Sequence, residues 1–287
     1  MERNSPSAIL SNYVPYYVSE TMPVISISIV AVCAYLLSLV FILPSLLRKE
    51  QNGYRGLALL FAVVALVTHA ISLKFLIFRP HSGQNLSLTN LGAVVSLMVC
   101  VIMTIVASRG RAWFLLPIVY CFSIVNLIIA ALMPGEFVTH LESSTSLFIH
   151  IGLALLSYAT LLIAALYALQ LSWLDYQLKN KKLKFSPQMP PLMSIERKMF
   201  HITQVGVVLL TLTLCTGLLY MDNIFGKENI HKSIFSIIAW FVYIILLWGH
   251  FREGWRGKKV VIFNLIGAII LTLAFFGNRL LQELMLN

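Results

Sequence analysis

Long apolar stretches recur along the chain and are separated by short polar segments. Eight such stretches of about 19 to 29 residues are each long enough to cross a hydrocarbon core of about 30 Å. They lie near 23–47, 56–78, 88–107, 112–133, 146–174, 201–220, 233–251 and 260–281. In lipid, only helices and closed barrels satisfy all the hydrogen bonds of their backbone. The strict alternation of apolar and polar residues that is typical of barrel strands is missing. The pattern therefore predicts an all-α, polytopic transmembrane helical bundle of about eight spans.

The composition agrees with a membrane protein. Of the 287 residues 59% are hydrophobic and only 11% are charged, whereas a soluble domain carries about a quarter charged residues. A soluble enzyme, a secreted disulfide scaffold and a disordered tail are excluded. The formal net charge of +10 does not indicate nucleic acid, because the basic residues lie between apolar runs, where they face lipid headgroups. We expect membrane lipids as partners and no nucleic acid.

The basic residues also predict the orientation. Of the 21 Lys and Arg residues, 15 lie in segments 48–55, 108–111, 175–200 and 252–259, whereas the alternate segments and the two termini hold 5. The positive-inside rule then puts the long 175–200 loop in the cytoplasm and both termini on the outer side. Residues 1–21 are polar and aromatic, so we expect an N-terminal extension before a transmembrane domain at 22–287. Met22 is an alternative start.

The histidines are candidate functional residues in a chain so poor in charge. Burying an ionisable side chain in the membrane costs free energy, and such residues commonly mark functional sites. His201 begins the sixth predicted span and His250 ends the seventh, so both lie at the cytoplasmic end of antiparallel neighbours. Two imidazoles at matched depth are what a six-coordinate haem iron needs. Arg252 and Arg256 follow closely and are suited to pair with haem propionates. The alternative is that these residues are ordinary interfacial anchors.

A second histidine pair is expected in the outer half of the membrane. His150 lies about one turn inside the outer surface, and His69 lies roughly 20 Å from the inner end of the second span, at a comparable depth. The two form a second candidate haem pair, with His140 of the outer loop as a substitute partner. For His69 the favoured alternative is a neutral imidazole hydrogen-bonded to a neighbouring helix.

Other chemistries have little support in the sequence. There is no HExxH, P-loop or GxSxG motif, and the spans hold no paired carboxylates. The four cysteines lie inside apolar runs without CxxC spacing, so we expect them to behave as small hydrophobes. We therefore expect a protein that is not an enzyme.

Three segments resemble the cytochrome c assembly family of haem-handling membrane proteins, which includes CcsA and CcmC. They are HIGLALLSYATLLIAALYALQ from His150, WGHFREGWRGKK around His250, and GAIILTLAFFG. The resemblance covers roughly residues 55–281, and PPLMSIERKMFHITQ points to a branch of bacterial inner membrane proteins related to HemX. It implies that His150 corresponds to the first histidine of an external haem site and His250 to a histidine that binds haem within the membrane. His201 has no counterpart in the family pattern.

Two features of the family are missing from this sequence. The tryptophan-rich segment between the sixth and seventh spans is replaced by MDNIFGKENIHKS, and the second external histidine is absent from GNRLLQELMLN. We therefore expect a haem-binding or haem-translocating protein with a regulatory or transport role rather than a synthase. Its expected partner is a tetrapyrrole-pathway or cytochrome-maturation protein. The alternative is a cofactor-free accessory subunit of another membrane system, such as cation homeostasis.

The predicted orientation is testable with paired reporters. Green fluorescent protein inserted after Phe185 should fluoresce and alkaline phosphatase at the same position should be inactive, because the basic loop stays in the cytoplasm. After Asn287 the two reporters should behave in the opposite way. Active phosphatase at Phe185 would show the inverse topology.

Overall fold

The computed structural model describes residues 6–47, 54–79, 83–109, 113–133, 135, 138–139, 145–180, 191–220 and 230–277. The helices in this part of the chain are α1 (Pro6–Leu47), α2 (Arg55–Ile77), α3 (Leu88–Ser108), α4 (Leu116–Leu132), α5 (Thr145–Lys179), α6 (Leu192–Tyr220), α7 (Ile230–Glu253) and α8 (Lys258–Thr272). A π-helical turn at Leu273–Gly277 continues α8. Seven of these helices, with α8 counted together with that turn as Lys258–Gly277, contain a segment long and apolar enough to cross a membrane; α4, with 17 residues, is shorter. The predicted polytopic helical bundle is confirmed.

Two helices begin earlier than the apolar pattern predicts. Helix α1 begins at Pro6, inside the expected extension, and α6 begins at Leu192. His201 therefore lies roughly two and a half turns inside α6 instead of at its first residue. The physical reason is that hydropathy marks the part of a helix that lies in lipid. In α6, the polar helix formers Glu196, Arg197 and Lys198 extend the helix beyond it.

A small antiparallel sheet, which the sequence did not predict, joins two connections. Its strands are β1 (Phe78–Arg79), β2 (Gly83–Asn85) and β3 (Val138–Thr139), with β2 in the middle. Strands of two or three residues are too short to show an alternating pattern. Gly83 has a φ of 80°, a left-handed conformation that favours glycine.

The chain folds into two compact units. The first contains Met1–Cys100 and Pro117–Thr139, and the second contains Val101–Leu116 and His140–Asn287. In the second unit α5 packs along α6 and α8, and α7 packs along α8. Glycines allow these close approaches: a Cβ at Gly206 would lie 2.6 Å from the Leu161 side chain, and one at Gly267 would lie 2.8 Å from the Tyr243 ring. Small residues at helix contacts are typical of membrane bundles.

A buried polar network joins the four helices of the first unit. His69 on α2 is fully buried, with Nδ1 3.2 Å from the Tyr35 hydroxyl on α1 and 3.4 Å from Ser123 Oγ on α4. The Ser123 hydroxyl in turn donates to Ser96 Oγ on α3 at 3.3 Å. Such contacts replace the hydrogen bonds that lipid cannot supply. This is the arrangement that the alternative interpretation of His69 expected.

Packing at Gly267 should tolerate no side chain. We predict that Gly267→Ala costs roughly 1–3 kcal/mol through overpacking against the buried Tyr243 ring and lowers the melting temperature of the detergent-purified chain. Gly152→Ala is the matched control, because a Cβ there meets nothing within 4 Å and alanine favours the helix. A melting temperature that rises equally in both variants would contradict the packing argument.

Candidate functional site

A partly open cavity of about 330 Å³ lies in the second unit, where α6 begins and α7 ends. Its volume is at the small end of the range of ligand pockets. The lining residues are Met193, Glu196, Arg197, Phe200, His201 and Gln204 of α6, His250 and Phe251 of α7, and Arg256 of the connection to α8.

Helix α6 lines this cavity with one face. Residues three or four positions apart share one side of a helix. This spacing relates the lining positions 193, 197, 200, 201 and 204 of α6. Arg197 and Phe200 reach the site because α6 extends back to Leu192. Neither residue can be predicted from the apolar pattern, because that pattern assigns residues 175–200 to the inner loop. The position of Arg197, four residues before His201, was the signal that could have found it.

Two contacts fix the orientation of His250. Its ring stacks on the buried Phe200 ring, with centroids 3.4 Å apart and planes inclined by 18°. Its Nδ1 lies 3.1 Å from the backbone oxygen of Trp255. Because a carbonyl only accepts, Nδ1 carries the hydrogen, and the lone pair of the neutral ring lies on Nε2. Histidines that bind metals commonly have this arrangement, with one ring N–H on a backbone carbonyl.

The Trp255 carbonyl belongs to a tight turn between α7 and α8. Gly254 and Gly257 have φ values of 65° and 64°, which favour glycine because a Cβ would clash. The Trp255 N–H donates to the Gly249 carbonyl at 2.9 Å. The turn thus folds back on the last turn of α7 and presents a backbone acceptor to His250.

The inner histidine pair predicted from the sequence shares this cavity. His201 and His250 both line it, and so does Arg256. Arg252 is exposed and is not among the described lining residues, since it lies two positions after His250, on a different side of α7. Among the described residues, no group of three or more His, Cys, Asp or Glu side chains could hold a metal ion.

The outer candidates are distributed over both units. His150 on α5 is half-buried, and its Nδ1 lies 3.0 Å from Thr216 Oγ1 on α6. The Thr216 hydroxyl donates to the Thr213 carbonyl, so its oxygen accepts from Nδ1–H and the His150 lone pair lies on Nε2. His69 belongs to the first unit and has its hydrogen bonds there. Its pairing with His150 stays a prediction, and His140 lies outside the described residues.

The chain is similar to several known proteins. It is 63% identical to the inner membrane protein YpjD of Escherichia coli (strain K12) over 264 residues, which are 92% of this chain and 99% of that protein. The cytochrome c biogenesis protein CcsA of Chlamydomonas reinhardtii is 21% identical over 266 residues, 90% of this chain and 67% of that protein. An uncharacterised 28.8 kDa protein of Azospirillum brasilense is 26% identical over 215 residues. No solved structure is significantly similar.

These similarities confirm two predictions made from the sequence. The spanning helices and the similarity to an inner membrane protein confirm a multi-pass protein of the bacterial inner membrane. The relationship to HemX stays a prediction. The Cytochrome C assembly protein family matches residues 57–286, which include most of both units. The chain therefore belongs to the cytochrome c assembly family.

Proposed function

We propose that this protein binds haem in the membrane, with His250 and His201 as the two axial ligands, and that it stores, moves or senses haem without acting as an enzyme. The observation that carries the proposal is the shared cavity: two imidazoles from neighbouring helices line it, and the lone pair of His250 lies on Nε2. A pair of axial imidazoles is a common way to hold haem iron in a helical bundle.

The other lining residues fit the chemistry of haem. Phe200, Phe251 and Met193 supply apolar surface for a flat macrocycle. Arg197 and Arg256 have the planar guanidinium groups that bind carboxylates through two parallel hydrogen bonds, and haem carries two propionates. Because the cavity is small and partly open, we expect part of the macrocycle to extend beyond it into the surroundings.

Two axial histidines favour a role in transport or regulation. His250 and His201 would together hold the haem iron, and an iron held by two imidazoles would supply electron transfer or haem retention rather than substrate binding. Within the chain, His250 is held rigidly by Phe200 and the Trp255 carbonyl, whereas His201 is exposed. An exposed second ligand is suited to release, and the expected recipient is a tetrapyrrole-pathway or cytochrome-maturation protein.

Haem titration of the full chain in detergent tests the proposal. Wild-type protein should take up added haemin and, when reduced, give the sharp α and β bands of a low-spin, bis-histidine iron. His250→Ala and His201→Ala should each lose these bands, because one axial ligand is gone, and weaken haem binding by roughly tenfold or more. His231→Ala is the matched control, since His231 is an exposed histidine at the opposite end of α7.

Two other outcomes would contradict the proposed inner haem site. If the wild-type protein gains no haem spectrum, the inner site is not a haem site and the cofactor-free accessory subunit becomes the better hypothesis. If His150→Ala abolishes the bands and His250→Ala does not, haem binds at the outer histidine and the assignment of the inner pair is wrong.

The distinction from a synthase is testable in cells. Cells that lack the gene should retain normal c-type cytochromes on haem-stained gels, because MDNIFGKENIHKS stands in place of the family's tryptophan-rich segment. Loss of these cytochromes, restored by the wild-type gene, would show that the protein acts directly in their assembly.

A further inference from the structure

We infer that the turn between α7 and α8 is a positioning element: it holds His250 in its Nδ1–H form, and Gly249 and Glu196 keep the turn in place. The hydrogen bond between His250 and the Trp255 carbonyl is a property of the protein without haem. Its consequence for iron binding rests on the proposed function.

Gly249 is buried directly beneath the Trp255 indole. A Cβ at this position would overlap the six-membered part of the Trp255 ring, so any larger residue must displace the indole. The half-buried indole has the Phe263 ring 5.2 Å away and Lys259 Nζ 5.8 Å from its centroid. We expect a displaced indole to pull on the backbone of Trp255 and so to shift the carbonyl that accepts from His250.

Glu196 connects α6 to the same turn. Its Oε1 accepts a hydrogen bond from the Gly257 N–H at 3.4 Å, and Phe200, one turn further along α6, stacks on His250. Helix α6 thus sets the plane of the imidazole and helps to hold the turn that sets its protonated nitrogen. The two constraints meet on one ring, which leaves a single direction for the Nε2 lone pair.

The turn decides which nitrogen is available to a metal. With the Trp255 carbonyl in place, the hydrogen stays on Nδ1 and Nε2 can donate its lone pair. Without the carbonyl, the hydrogen is free to move to Nε2, where it blocks coordination. A backbone acceptor on the ring N–H also makes the opposite nitrogen a stronger ligand.

Nitrogen NMR of the full chain without haem tests the turn directly. In protein labelled with ¹⁵N-histidine, the His250 signals are those that disappear in His250→Gln. They should report the Nδ1–H form in the wild type and in the control Gly152→Ala, and a mixture of forms or Nε2–H in Gly249→Ala. Retention of the Nδ1–H form in a folded Gly249→Ala protein would overturn the inference.

Haemin titration then tests the consequence for iron. Gly249→Ala should weaken haem binding roughly 10–100-fold, the usual effect of losing an outer partner of a ligand, whereas Gly152→Ala should bind as the wild type does. Glu196→Ala should weaken binding in the same direction. Glu196→Gln should restore it, because the amide oxygen still accepts from Gly257 N–H.

The two measurements separate the turn from the haem site. If wild-type protein binds no haemin, the proposed function fails, while the NMR result still decides whether the turn fixes His250. If wild-type protein binds haemin and Gly249→Ala binds it with the same affinity and spectrum, the positioning role fails and the haem site stands. Should Gly249→Ala not fold, Glu196→Ala at a half-buried, solvent-reachable position provides the same comparison.

Discussion

The hydrogen bond from His250 Nδ1 to the Trp255 carbonyl is the contact on which the candidate site depends. It joins a side chain near the end of α7 to the backbone that leads into α8. Because the acceptor is a backbone carbonyl, no substitution of the Trp255 side chain removes it. What can remove it is a change in the path of the chain, and that path is set by glycines at 249, 254 and 257.

The remainder of the second unit supports that contact. Phe200 reaches His250 because α6 starts well before the membrane-spanning stretch, and Glu196 reaches the turn for the same reason. Deeper in the bundle, Asn264 on α8 donates to Thr203 on α6 at 3.1 Å, and both are buried. A hydrogen bond between buried side chains of two helices fixes the height of one helix relative to the other, so the start of α6 and the connection that leads into α8 are held at a defined level.

The sequence predicted the helices, and it predicted that His201 and His250 lie close to one level, for a clear physical reason. Hydropathy locates helices in lipid, and a short connection makes α6 and α7 antiparallel neighbours, which brings His201 and His250 to one end. Arg197 and Phe200 were missed because they lie beyond the apolar stretch. The Trp255 carbonyl was missed because a backbone contact depends on φ angles, which residue patterns indicate only through glycines.

The connections that carry the small sheet show a similar limit of prediction. The three short strands have too few residues to show a pattern. They are held by contacts between residues distant in sequence: Nδ2 of Asn85, in β2, donates to the Gly135 carbonyl at 2.8 Å. Such pairings arise only once the helices have brought their ends together.

The π-helical turn at Leu273–Gly277 has a geometric consequence for the far end of α8. Neighbouring positions on an α-helix point about 100° apart, yet Phe275 and Phe276 both contact Tyr158, with ring centroids 4.9 and 5.7 Å away. The wider coil of the π-helix brings both rings to one side. Shortening this segment by a single residue would restore the narrower coil and swing one phenyl ring outward, so the contact of both rings with Tyr158 depends on the length of the segment as well as on its residues.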